Sequence, residues 1–141
     1  MDIVSDILVA IVALLHAYFL YLEMFLWTKP AGLKIFRNTP ERAEMTKVLA
    51  ANQGLYNGFL AAGLIWSLAT SSSLFSFDIK LFFLTCVILA ALFGAVTVSR
   101  RILYVQGLPA ILALAITVAY ANPYLGLDCC AKPQTAQLTL K

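Results

Sequence analysis

Long apolar runs separated by short polar breaks fill most of this chain. A helix of roughly twenty apolar residues spans the hydrocarbon core of a bilayer. Four such runs can be drawn, at about 3–27, 43–69, 79–98 and 102–122. The first break, TKPAGLKIFRNTPE (28–41), carries Pro30, Gly32 and Pro40 and predicts a loop. Pro40 followed by Glu41 and Glu44 reads as a helix start, with acids near the positive end of the helix dipole. The second break, SSSLFSFD (71–78), predicts a short turn. Gly107 and Pro109 predict a kink in the fourth helix beside Gln106. Pro123 and Gly126 end it, leaving a polar tail over 123–141. The expected fold is all-α: a polytopic four-helix transmembrane bundle over residues 1–122. Asp2 and Asp6 stand where a signal peptide needs basic residues, so the first run is expected to stay as a membrane helix.

Polar residues inside these runs carry the candidate chemistry. An α-helix turns by about 100° per residue. With Asn52 at zero, Tyr56, Arg42, Gln53, Thr46 and Asn57 then fall at about 40°, 80°, 100°, 120° and 140°. They occupy less than half of the second helix. Gly54 and Gly58 form a small-xxx-small pair beside them, where another backbone can approach closely. In the first run, His16, Glu23 and Trp27 share a face, with Glu23 about 10 Å nearer one membrane surface than His16. An ionisable residue inside a span is by default a functional candidate. Glu23, Asn52, Gln53 and Gln106 sit at similar depth, with Arg42, Arg101 and Tyr104 at the mouth. Convergence of these faces would make a polar pocket in one half of the bundle. The alternative is that Asn and Gln act as interhelical glue, that Glu23 pairs with Arg42 or Arg101, and that Trp27 and Tyr104 anchor at the interface.

Composition supports the membrane reading. The chain is 62% hydrophobic and 12% charged, about half the charged fraction of a soluble domain. Lys29, Lys34, Arg37, Arg42, Lys47, Arg100 and Arg101 fall on one side of the four spans. Lys80, Lys132 and Lys141 fall on the other. The positive-inside rule therefore places both termini outside the cytoplasm, in a bacterial inner membrane by expectation. The net charge of +3 is split among loops and points to no nucleic-acid partner. One histidine and three cysteines predict no protein metal site. Cys86 reads as a packing residue; Cys129 and Cys130 read as free, lipid-modified or intermolecular.

At HAYFLYLEMFLW, KVLAANQGLYNGFLAAGLIW and RRILYVQGLPAILAL, the chain resembles an uncharacterised, mainly bacterial family of small integral membrane proteins. That resemblance covers about residues 1–120 and implies no particular activity. More distantly, the four spans, outward termini, basic first loop and Asn-bearing second helix are similar to the glutathione-linked MAPEG membrane enzymes. That likeness implies a trimer with a polar site between subunits in the cytoplasmic half, and glutathione as a possible cofactor. Asn52 and Tyr56 match the superfamily's Asn and Tyr in spacing, while Leu55 and Val48 stand at its Glu and Arg positions.

Three functions are left open. An oligomeric enzyme or binder would hold the polar head of a lipophilic substrate. Arg42 and Arg101 would hold an anionic group, and Asn52, Gln53, Asn57, Gln106 and His16 would line the site. Tyr56 or Tyr104 would donate a proton, with Glu23 as general base. A small four-span transporter would rely on Glu23. A non-catalytic membrane subunit would use Gly54 and Gly58 against a partner helix. No nucleophile–base–acid arrangement is legible.

Overall fold

A computed structural model of the protein describes residues 3–121. It is all-α over these residues, with helices α1 (Ile3–Phe25), α2 (Pro30–Phe36), α3 (Pro40–Ala69), α4 (Ser73–Thr97) and α5 (Leu108–Ala121). A π-helical stretch, Leu103–Gly107, leads directly into α5. Helix α1 packs against α3 and α5, and α4 packs against the same two, so the four long helices form a square bundle. Trp27–Thr46 and Glu23–Asn57 contacts run in opposite chain directions and make α1 and α3 antiparallel.

Three of these segments are long and apolar enough to cross a membrane: Ile3–Phe25, Ser73–Thr97 and Leu103–Ala121. They mark an integral membrane protein. The outer surface agrees, because large apolar side chains such as Leu14, Phe82, Leu89 and Phe93 point away from the bundle. Helix α3 is longer still, at 30 residues, but carries Glu41, Arg42, Glu44 and Lys47 near its start.

Between the helices lies a core of Val9, Val12, Ala13, Leu64, Leu84, Val87, Ala110 and Ala113. Small residues let the backbones close up, which matters in lipid because apolar side chains gain little by leaving it. Gly54 shows the effect. A Cβ there would lie 2.8 Å from Met24 Cγ and 3.1 Å from Glu23 Cβ.

Two breaks differ from expectation. The stretch read as a loop folds as α2. Pro30 sits in its first turn, where a missing N–H costs nothing. Arg37 ends it in the left-handed region, at φ 52°. Gly32 is required, since a Cβ would come within 1.9 Å of the Leu26 carbonyl oxygen. The stretch 71–78 is mostly helix, because Ser72 caps α4 by accepting from the Phe75 N–H at 3.4 Å. Helix α4 therefore starts at Ser73, ahead of the expected span. The anticipated kink near Pro109 takes the form of the π-helical stretch, with Gly107 buried against Ala91 of α4. The polar tail, with Cys129 and Cys130, lies outside the described residues.

At the end of the bundle holding the α3–α4 turn, a polar layer is fully paired. Lys80, 4% exposed, forms an ion pair with Asp6. Ser5 and Thr117 hydroxyls meet at 2.8 Å. Ser76 donates to the Ser67 carbonyl at 2.7 Å, and Ser67 to the Leu64 carbonyl at 2.6 Å. Lys80, counted above as a topological charge, is thus an interior residue.

Candidate functional site

The opposite end is built differently. Glu23 lies in the last turns of α1, on the face that meets α3, and is partly buried. Its Oε2 accepts from Asn57 Nδ2 at 2.7 Å. Asn57 is 5% exposed and sits on the row of α3 formed by Ala50, Gly54 and Ala61, all buried. The glycine at 54 brings the two backbones close enough for this side-chain pair to meet. Among the described residues Glu23 makes no ion pair, so neither Arg42 nor Arg101 neutralises it. A carboxylate has about four acceptor positions, and one amide N–H fills one of them.

Beside Glu23 opens a hollow of about 340 Å³. Met24, Phe25, Val48 and Ala51 form its apolar wall, and Glu23, Thr28, Trp27 and Lys47 bring polar groups. Its rim is fixed. Trp27 Nε1 donates to Thr46 Oγ1 at 3.1 Å, and the Trp27 and Phe36 rings pack with centroids 4.7 Å apart. The link after α1 is thereby tied to α3 on one side and α2 on the other. Lys47 forms an exposed ion pair with Glu44, which solvent screening makes weak and easily exchanged.

His16 is buried two turns below Glu23 on the same face, and its Nδ1 donates to the Val12 carbonyl at 2.9 Å. A carbonyl only accepts, so that nitrogen carries the proton. Gln106 is partly exposed in the π-helical stretch and does not line the hollow. Arg42, Asn52, Gln53, Tyr56, Arg101 and Tyr104 are all exposed on the outside of the bundle. Within one chain, then, Glu23, Asn57 and Gly54 come together, with Gly58 one turn further against Leu20. The tyrosines and arginines do not join them. Lys47, Thr28 and Val48 were missed as lining residues. Lys47 lies about two turns before Gly54 on the same face of α3, but only the folded chain brings the end of α1 across from it.

What this arrangement offers is a carboxylate with spare acceptor capacity, an ammonium group within the same hollow, and an apolar wall. Over residues 10–118 the chain matches the family described as "Protein of unknown function (DUF1304)", and it belongs to that family. It is 38% identical over 116 residues to "Uncharacterized protein YpaA" of Lactococcus lactis subsp. lactis (strain IL1403), covering 81% of this chain and 96% of that relative. No solved structure gives a significant match.

Proposed function

We propose that this is a four-span membrane protein whose Glu23–Asn57 site binds an amphiphilic ligand in the cytoplasmic half of the bilayer. The observation that carries the reading is Glu23. It is a partly buried carboxylate with an amide for a partner instead of a cation, opening on a hollow that also holds Lys47. A hydrogen-bond donor on the ligand head would meet Glu23, an anionic group would meet Lys47, and the chain would lie along Met24, Phe25 and Val48.

The fourth span is α3. At 30 residues it is about 45 Å long, more than a bilayer core requires. It follows α1 from Thr46 at Trp27, past Asn57 at Glu23, to Leu64 in the core with Val9 and Val12. A helix that accompanies a spanning helix end to end crosses with it. The basic residues of the α1–α3 link and of Arg100 and Arg101 then face the cytoplasm, leaving both ends of the bundle's chain on the far side.

A transporter would need a route past the level of His16. Val9 and Val12 close that route with no exposed surface, which favours binding from one side over passage. Native mass spectrometry from a mild detergent tests the proposal on wild type and Glu23→Gln. A bound amphiphile on wild type that disappears from a folded Glu23→Gln supports it. Equal occupancy of both, or none on either, removes it.

A further inference from the structure

The polar groups of the hollow stand at two depths. Gly54 packs against Glu23, and Lys47 precedes Gly54 by about two turns of α3, so it sits about 10 Å nearer the end of the bundle. The bond from Trp27 to Thr46 fixes that register, because it sets Lys47, next along α3, level with the end of α1. The deeper level is negative. Asn57 fills one acceptor position of the Glu23 carboxylate and leaves the others open. Helix α1 also ends here with no basic residue in its last turn, so the partial negative charge of its terminal carbonyls is unanswered. The outer level is positive and rich in donors. Lys47 and Thr28 line it, while the Trp27 N–H is already committed to Thr46. Lys47 can leave Glu44, since their pair is exposed.

We propose that the ligand is a zwitterionic lipid whose ammonium group lies between its anionic group and its chain, as in a long-chain amine with a phosphate on the neighbouring carbon. The ammonium sits on Glu23, the phosphate on Lys47 and Thr28, and the chain passes Met24 toward the middle of the bundle. A primary ammonium brings three donors to the open acceptor positions of Glu23 and supplies the cation that the chain itself does not. The phosphate meets an ammonium on a flexible four-carbon stem, which can follow it. Only this order of charges matches both levels with the chain directed inward. A phospholipid with a terminal ammonium presents its phosphate to Glu23 and its ammonium to Lys47. A purely anionic lipid leaves Glu23 without a counter-charge. The inference rests on the hollow being an amphiphile site, and adds the order of charges along the head group.

The test is titration of the delipidated full chain in a mild detergent with four probes of matched chain length, read by native mass spectrometry. Sphinganine phosphate carries both charges in the proposed order, lysophosphatidylethanolamine carries them reversed, sphinganine has the ammonium alone and lysophosphatidate the phosphate alone. Sphinganine phosphate should bind tightest, by roughly tenfold or more over the reversed probe, as expected for one misplaced charged hydrogen bond. Glu23→Gln, with its unfolding temperature checked against wild type, should weaken sphinganine phosphate and sphinganine alike. Lys47→Gln should weaken sphinganine phosphate and leave sphinganine unchanged. Equal or tighter binding of lysophosphatidylethanolamine overturns the order of charges. Lysophosphatidate binding as tightly as sphinganine phosphate, indifferent to Glu23→Gln, overturns the ammonium. Binding of none of the four overturns the proposal as well. The amphiphile reading is judged separately, by whether an amphiphile co-purifies with wild type and is lost from Glu23→Gln.

Discussion

The two ends of the bundle bury polar groups in opposite ways. At the α3–α4 end, Lys80 and Asp6 cancel each other's charge and the nearby hydroxyls close short bonds to carbonyls or to one another. At the other end, Glu23 meets only Asn57 among the described polar side chains, and beside it is space. A buried polar layer made for architecture satisfies itself. One that leaves a carboxylate under-coordinated beside a hollow has capacity for something from outside the chain. The same element types, antiparallel helices joined by short links, make both.

The largest expected effect lies in the self-satisfied layer. Lys80→Met leaves the Asp6 carboxylate without its cation, and should cost about 3 kcal/mol, the low end for a broken buried pair because Asp6 retains some exposure. Asp6→Asn together with Lys80→Met should recover most of it. Thermal unfolding in detergent reads both. Equal losses for the single and double variants would mean that the pair is not the unit of stability there.

Next comes the approach of α1 to α3. Gly54→Leu would drive a side chain into Met24 and Glu23, and should destabilise by about 1–3 kcal/mol as an overpacked contact. It should also abolish any bound amphiphile by displacing Glu23 from Asn57. Glu23→Gln should do the reverse. Its amide oxygen still accepts from Asn57, so unfolding should shift by less than about 1 kcal/mol, while occupancy of the hollow is lost. A large stability loss in Glu23→Gln would place Glu23 with the structural layer. Smallest of all, Thr117→Val removes one interhelical hydroxyl contact with Ser5 and should cost about 0.6 kcal/mol.

Much of the fold was legible because period and length are strong signals. Four long apolar runs became α1, α3, α4 and the Leu103–Ala121 segment. Helix α2 was hidden by residues that usually break helices. Pro30 marks a beginning there, and Gly32 answers a carbonyl that only the folded chain brings near. The site was half legible. Glu23 and Asn57 stood out as polar residues inside spans, but a helical wheel gives relative angles and not which angle faces the bundle. The polar arc of α3 is in fact divided. Its Asn57 edge turns inward with the small residues, and Asn52, Gln53 and Tyr56 turn outward. Lys47 was read as a topological charge because nothing in sequence reveals that the end of α1 lies across from it.

Glu23 and Asp6 lie on the same helix, so a single reagent can compare them directly. A lipophilic carbodiimide partitions into the bilayer and modifies carboxyl groups that it can reach there and that no cation holds. Protein treated in its own membrane would be digested and the adduct located by mass spectrometry. The account predicts modification at Glu23, its suppression when the hollow is occupied by the co-purifying amphiphile, and an unmodified Asp6. Modification at Asp6 with Glu23 untouched would contradict it.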